Sequence, residues 1–185
     1  MTAAATVEDA PFGPAVAAFD AAVDRFLDRL RGHLVADRLF YTASALGDWS
    51  LLWHVIGLAR AAVDPGWRRD EVRLSTVLVV ESLTVNQGVK RLFKRRRPAV
   101  EADERPHNLR TPTTTSFPSG HASAAFCAAV LLSDGDRTLA PLWYGLATVV
   151  ALSRPYARDH HASDTVAGAL LGFTIGHLAK RLWPR

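Results

Sequence analysis

One cysteine, Cys127, stands in 185 residues, so no disulfide can form within the chain and a cysteine-based zinc site is not expected. Inside "HASAAFCAAVLL" it reads as a small buried apolar residue. The opening "MTAAATVEDAPFGP" lacks a basic region followed by an apolar core and does not read as a secretory signal. Residues 1–12 are therefore expected to be a disordered lead-in to a single domain over 13–185. Internal repeats and β-alternation are missing, which leaves an all-α fold. A large excess of one charge sign is missing too. The net charge is +4, with 49% hydrophobic and 22% charged residues, close to ordinary globular values.

Long uninterrupted apolar runs are also in short supply. Five apolar segments lie at 42–63, 73–92, 119–133, 138–153 and 164–182. A bilayer span of about 30 Å needs roughly 20 residues, and Asp48, Arg60 and Glu81 interrupt the first two segments. Two features nevertheless favour a membrane. Gly168, Gly172 and Gly176 recur every fourth residue, a flat stripe for close helix packing. Tryptophan beside arginine and lysine in "DPGWRR" and "KRLWPR" suits a membrane interface. Residues 13–34 place Val16, Phe19, Val23, Phe26, Leu27 and Leu30 at helical spacing, with Asp20, Asp24, Arg25, Asp28 and Arg29 on most of the other side. The expected architecture is a membrane-embedded helical bundle of about five spanning helices over 42–182, preceded by an amphipathic interfacial helix.

What the chain has in abundance is cations at one place. Residues 90–98 read "KRLFKRRRP". Such a run commonly marks a solvated face or a nucleic-acid patch. Here Lys90 and Arg97 are two helical turns apart on nearly one face, and Pro98 ends the helix. A second segment, "SFPSGHASAAF", opens a helix at Ser119, Gly120 and His121, where free N–H groups favour an anion. His121 exchanges a proton near neutral pH; the alternative is a capping serine with an incidental histidine. A third, "SRPYARDHHASD", offers the Arg154 fork for phosphate and His160 four residues before Asp164. That spacing suits a carboxylate that holds one imidazole nitrogen while the other faces a substrate. His160 and His161 as a metal pair find no second ligand cluster.

Together, Lys90-x6-Arg97-Pro98, Pro118-Ser119-Gly120-His121 and Ser153-Arg154-x5-His160-x3-Asp164 resemble the signature of the type 2 phosphatidic acid phosphatase superfamily. The resemblance implies a metal- and cofactor-independent phosphatase. Lys90, Arg97 and Arg154, with Ser119 and the Gly120 amide, would hold phosphate oxygens. His160 would be the nucleophile, forming a phosphohistidine, with Asp164 orienting it and His121 as the acid. Arg91, Lys94, Arg95 and Arg96 fall outside the signature and are expected to attract anionic headgroups or substrate. The polar segment 99–117 joins the first two motifs and is expected to border the pocket as a lid. The short chain resembles the membrane lipid phosphatase branch of bacterial plasma membranes. Partners would be the bilayer and a lipid phosphate of phosphatidic acid, phosphatidylglycerophosphate or polyprenyl-phosphate type, not nucleic acid. The alternatives are a phosphatase of soluble phosphomonoesters, a haloperoxidase-like vanadate binder, or a lipid-binding relative with a dead site. The intact His121, His160 and Asp164 speak against the last.

Overall fold

The computed structural model describes residues 12–98 and 114–185. The lead-in up to residue 11 and the lid stretch 99–113 lie outside the described residues. Seven main helices run in order: α1 (Pro14–Asp28), α2 (Leu34–Gly47), α3 (Leu51–Val63), α4 (Arg68–Ser82), α5 (Gly120–Gly135), α6 (Ala140–Tyr156) and α7 (Ala162–Leu182). Helix α4 continues through a π-helical stretch, Leu83–Val89, into a last turn at Lys90–Leu92. Local chemistry sets several of these limits. Pro14 occupies the first turn of α1 after Gly13, whose φ is +89°, where a missing N–H costs nothing. The Ser119 hydroxyl accepts from the Ala122 N–H at 3.4 Å to open α5, and Asp164 accepts from the His161 N–H at 2.9 Å to open α7.

Helices α5 and α7 form the centre. Ala125, Ala128 and Ala129 of α5 are fully buried, and Gly168, Gly172 and Gly176 of α7 lie against its backbone. A Cβ at Gly172 would stand 1.9 Å from the Ser123 carbonyl oxygen, and one at Gly168 would stand 2.3 Å from that of Ser119. Gly172→Ala must therefore push two helices apart, an overpacking worth about 1–3 kcal/mol. We expect a clear fall in the thermal unfolding midpoint. Exposed Gly145, whose Cβ would meet nothing within 4 Å, should accept alanine with no loss.

Three expectations change on the structure. Segment 42–63 is two helices, because Trp49 and Ser50 adopt left-handed φ of 55° and 60° and end α2 just beyond Gly47. No helix among the described residues is long and apolar enough to cross a membrane. Helix α5, 16 residues, reaches only about 24 Å; α4 carries Glu71, Arg73 and Glu81; α7 carries Asp164, Lys180 and Arg181. Helix α1 is rotated by part of a turn from the expected face: Leu27 is buried as expected and Arg25, Asp28 and Arg29 stay exposed. Asp20 is buried against the bundle while Phe19 and Phe26 face outward, 45% and 57% exposed.

Apolar side chains of α3, α4 and α7 turn outward, while several charged ones are buried beside the apolar core. Leu51, Val55 and Leu58 of α3, Val72 and Val79 of α4, and Val166, Leu170 and Phe173 of α7 all point outward, while Glu71, Arg73 and Glu81 are buried. Away from the α4–α5 motif end, ion pairs tie the opposite helix termini together: Arg73 to Asp134 at 3.0 Å, Lys180 to Asp134 at 3.1 Å and Arg185 to Asp70 at 2.6 Å.

Candidate active site

The end of α4, the start of α5, the end of α6 and the turn before α7 meet at one end of the bundle. They surround a cavity of about 830 Å³ lined by Lys90, Arg97, Gly120, His121, Arg154 and His160, among others. All three sequence motifs thus converge on one place. A phosphoryl group fills only part of such a volume; the remainder, lined by Ser50, His54, Glu81 and Asn86, leaves room for the group it is attached to.

His160 lies in the turn between α6 and α7, not on a helix. Its Nδ1 is 2.6 Å from the carbonyl oxygen of Ser116. A carbonyl only accepts, so Nδ1 carries the proton and Nε2 keeps its lone pair. That lone pair accepts from Arg97 Nη1 at 3.2 Å, and His160 lines the cavity. Asp164 does not make the direct bond to His160 that its spacing suggests: its Oδ2 stands 3.8 Å from Nδ1. It accepts instead from the Ser116 hydroxyl at 2.5 Å. The carboxylate is linked to His160 through Ser116, a fully buried residue that the motif reading passed over although it heads the quoted segment. His161 sits apart at the start of α7, with Nε2 3.3 Å from the Arg96 carbonyl oxygen.

Burial holds the His160 imidazole well below its ordinary range, the charges of Arg154, Arg97 and Lys90 push the same way, and Asp164 opposes them. The unfolded chain takes up this proton near pH 6.5, about the ordinary value for histidine, and the folded chain does not. His160 therefore withdraws stability as the pH falls through that range, and its ring stays neutral there. Histidine NMR of the free protein should show no His160 titration between about pH 7 and 5; a midpoint at the ordinary value would contradict this.

Backbone carbonyls hold Arg97, and side chains hold Lys90 and Arg154. Arg97 donates through Nε to the Thr114 carbonyl at 3.0 Å and through Nη2 to that of Thr115 at 3.2 Å. Buried Lys90 reaches the Thr114 hydroxyl at 3.4 Å. Arg154 is paired with Asp159 at 2.7 Å and also donates to the Ser44 hydroxyl. Ser119 and Gly120 lie at the N-terminus of α5, with Asn86 Oδ1 close enough that a Cβ on Gly120 would stand 2.9 Å from it. The arrangement gathers donors and positive charge around the space in front of His160 Nε2, as an oxyanion requires.

His121 Nε2 is 3.0 Å from Asp48 Oδ1. Two features bring the acid there. The left-handed residues Trp49 and Ser50 turn the chain directly after Asp48, a conformation that costs of order 1 kcal/mol or more per residue. Gly47 also lets the end of α2 touch the imidazole; a Cβ there would be 2.6 Å from His121 Cδ2. Among the described residues no three or more His, Cys, Asp or Glu are grouped to hold a metal ion.

Residues 71–185 match the family model described as the PAP2 superfamily. Decaprenylphosphoryl-5-phosphoribose phosphatase of Mycobacterium tuberculosis (strain H37Rv) is 35% identical over 134 residues, 72% of this chain and 72% of that protein. The protein of the same name from Mycolicibacterium smegmatis is 33% identical over 127 residues, 68% of this chain and 67% of its own. The fold is similar to the crystal structure of the transmembrane PAP2 type phosphatidylglycerolphosphate phosphatase from Bacillus subtilis, with a TM-score of 0.72 and 24% identity over 94% of this chain and 88% of that one. It is also similar to Aquifex aeolicus LpxE, with a TM-score of 0.71 and 24% identity over 88% of this chain and 95% of that one.

Proposed function

We propose that this chain, which belongs to the PAP2 superfamily and is a phosphatase, removes phosphate from a lipid-linked substrate at a bacterial plasma membrane through a histidine nucleophile. The observation that carries the reading is the His160 Nε2 lone pair, on a ring lining a cavity that Lys90, Arg97 and Arg154 also line. In this reading those cations, Ser119 and the Gly120 amide hold the non-bridging oxygens. His160 Nε2 attacks phosphorus, the bond to the leaving oxygen breaks, and His121 gives that oxygen a proton. Water then gives a proton back to His121 and attacks phosphorus, the P–N bond breaks with its electron pair returning to His160 Nε2, and inorganic phosphate leaves. Fixed cations stabilise the charge that develops at phosphorus.

Two observations support a lipid setting. Leu and Val side chains of α3, α4 and α7 turn outward, as at a surface that meets lipid or a partner. The relatives at 35% and 33% identity are named for a polyprenyl-linked sugar phosphate, so we place that class first among the lipid phosphates. Phosphate release should be compared on decaprenylphosphoryl-5-phosphoribose, phosphatidic acid, phosphatidylglycerophosphate and a soluble phosphomonoester. We expect the lipid-linked substrates to exceed the soluble one by at least about tenfold in kcat/KM, with the sugar phosphate first. Equal turnover of the soluble ester would defeat the lipid assignment.

A further inference from the structure

Four cations of the basic run lie outside the phosphate motif, and the structure separates one from the other three. Arg91, Lys94 and Arg96 are exposed, whereas Arg95 is 7% exposed. Its Nη1 donates to Asp164 Oδ1 at 2.5 Å and to the Ser163 hydroxyl at 2.8 Å. Its Nη2 donates to Asp20 Oδ2 of α1 at 2.6 Å. Asp20 accepts twice more, from the Ser163 N–H at 2.7 Å and the Ser163 hydroxyl at 2.8 Å. The Phe12 ring lies 5.1 Å from the guanidinium, helping to keep water from it. The Arg95 carbonyl also accepts from the Ser116 N–H at 2.9 Å, the same Ser116 whose carbonyl holds His160.

We infer that Arg95 and Asp20 are positioning residues for the phosphatase reaction, fixing Asp164 and Ser116 so that His160 presents its nucleophilic nitrogen. A buried arginine between two carboxylates has little freedom: each Nη is spent on one acid, and loss of the arginine leaves two buried carboxylates without their shared cation. Asp164 in turn shares its other oxygen between the Ser116 hydroxyl and the His161 N–H, so a shift of Arg95 carries to both ends of the turn that bears His160. Helix α1 lies outside the family-matched residues 71–185, yet its inward acid closes this chain of contacts. The rotation of α1 thereby acquires a reason: the helix grips the site with Asp20 beside buried Leu27 and leaves Phe19 and Phe26 outside.

The inference rests on the proposed site, and its test is independent of which atom attacks. Steady-state kinetics on the purified full chain would compare Arg95→Gln, Asp20→Asn, Asp164→Asn and the double variants, with folded protein counted by gel filtration and thermal unfolding. We expect Arg95→Gln to lower kcat about 10–100-fold and Asp20→Asn about 3–10-fold, each with KM within about twofold. Added to Asp164→Asn, Arg95→Gln should cost less than about twofold more, because both act through one contact. Losses that multiply would overturn the inference. So would a loss of kcat no greater than the loss of folded protein, or a raised KM at unchanged kcat, the pattern expected of the exposed Arg91, Lys94 and Arg96. Should Arg95→Gln fail to fold, Asp20→Asn with Asp164→Asn closes the same cycle, with the same two outcomes. Failure of the wider reading has a different sign: an active His160→Ala chain.

Discussion

His160→Ala is expected to lose turnover by at least about a thousandfold, because covalent catalysis goes with the nucleophile. His161→Ala should keep most of its activity. The two histidines are neighbours in sequence and differ in what they face. His160 turns Nε2 toward Arg97 at 3.2 Å in the cavity, with Nδ1 on the Ser116 carbonyl. His161 caps α7 and turns its ring to the Arg96 carbonyl at 3.3 Å. Kinetics of the two alanine variants, with thermal unfolding to show that both fold, check this directly. An inactive His161→Ala beside an active His160→Ala would reverse the assignment.

The second large effect concerns the proton. His121→Ala is expected to lower kcat by about 10²–10⁴-fold on an alkyl phosphate, whose leaving alkoxide needs an acid. On an aryl phosphate with an acidic phenol the loss should shrink to about tenfold or less, since that group leaves without help. Asp48→Asn should follow the same pattern at reduced size, about tenfold on the alkyl ester, because its contact at 3.0 Å fixes the imidazole. Equal losses on both esters would remove His121 from the acid's role and leave it a phosphate ligand.

The parts of the site that were legible in sequence are those whose residues lie close together along the chain. Three short segments named Lys90, Arg97, Ser119, His121, Arg154 and His160; five of them line one cavity, and Ser119 is buried beside it with its hydroxyl on the Ala122 N–H. The contact of Asp164 was misjudged for a local reason. Residues four apart meet on a helix, but His160 precedes α7 and Asp164 is spent on capping it, so Ser116 stands between them. Asp48 was legible only as an interruption of an apolar segment, since nothing local announces that Trp49 and Ser50 turn left-handed and aim it at His121. Arg95 looked like its neighbours in "KRLFKRRRP". Its burial depends on Asp20, 75 residues away, and helical periodicity alone put Asp20 on the wrong side of α1. Amphipathic patterning assumes that acids face water; here an acid faces inward because a buried arginine waits for it.

The claim on which the rest depends is that phosphorus is passed to His160. Mixing the chain with a substrate labelled with ³²P at its terminal phosphate, quenching within one turnover, and mapping the label by mass spectrometry tests it most directly. The account predicts an acid-labile, base-stable label on the peptide that carries His160, lost in His160→Ala and retained in His161→Ala. A label on another residue, or none from a chain that turns over under the same conditions, would contradict it.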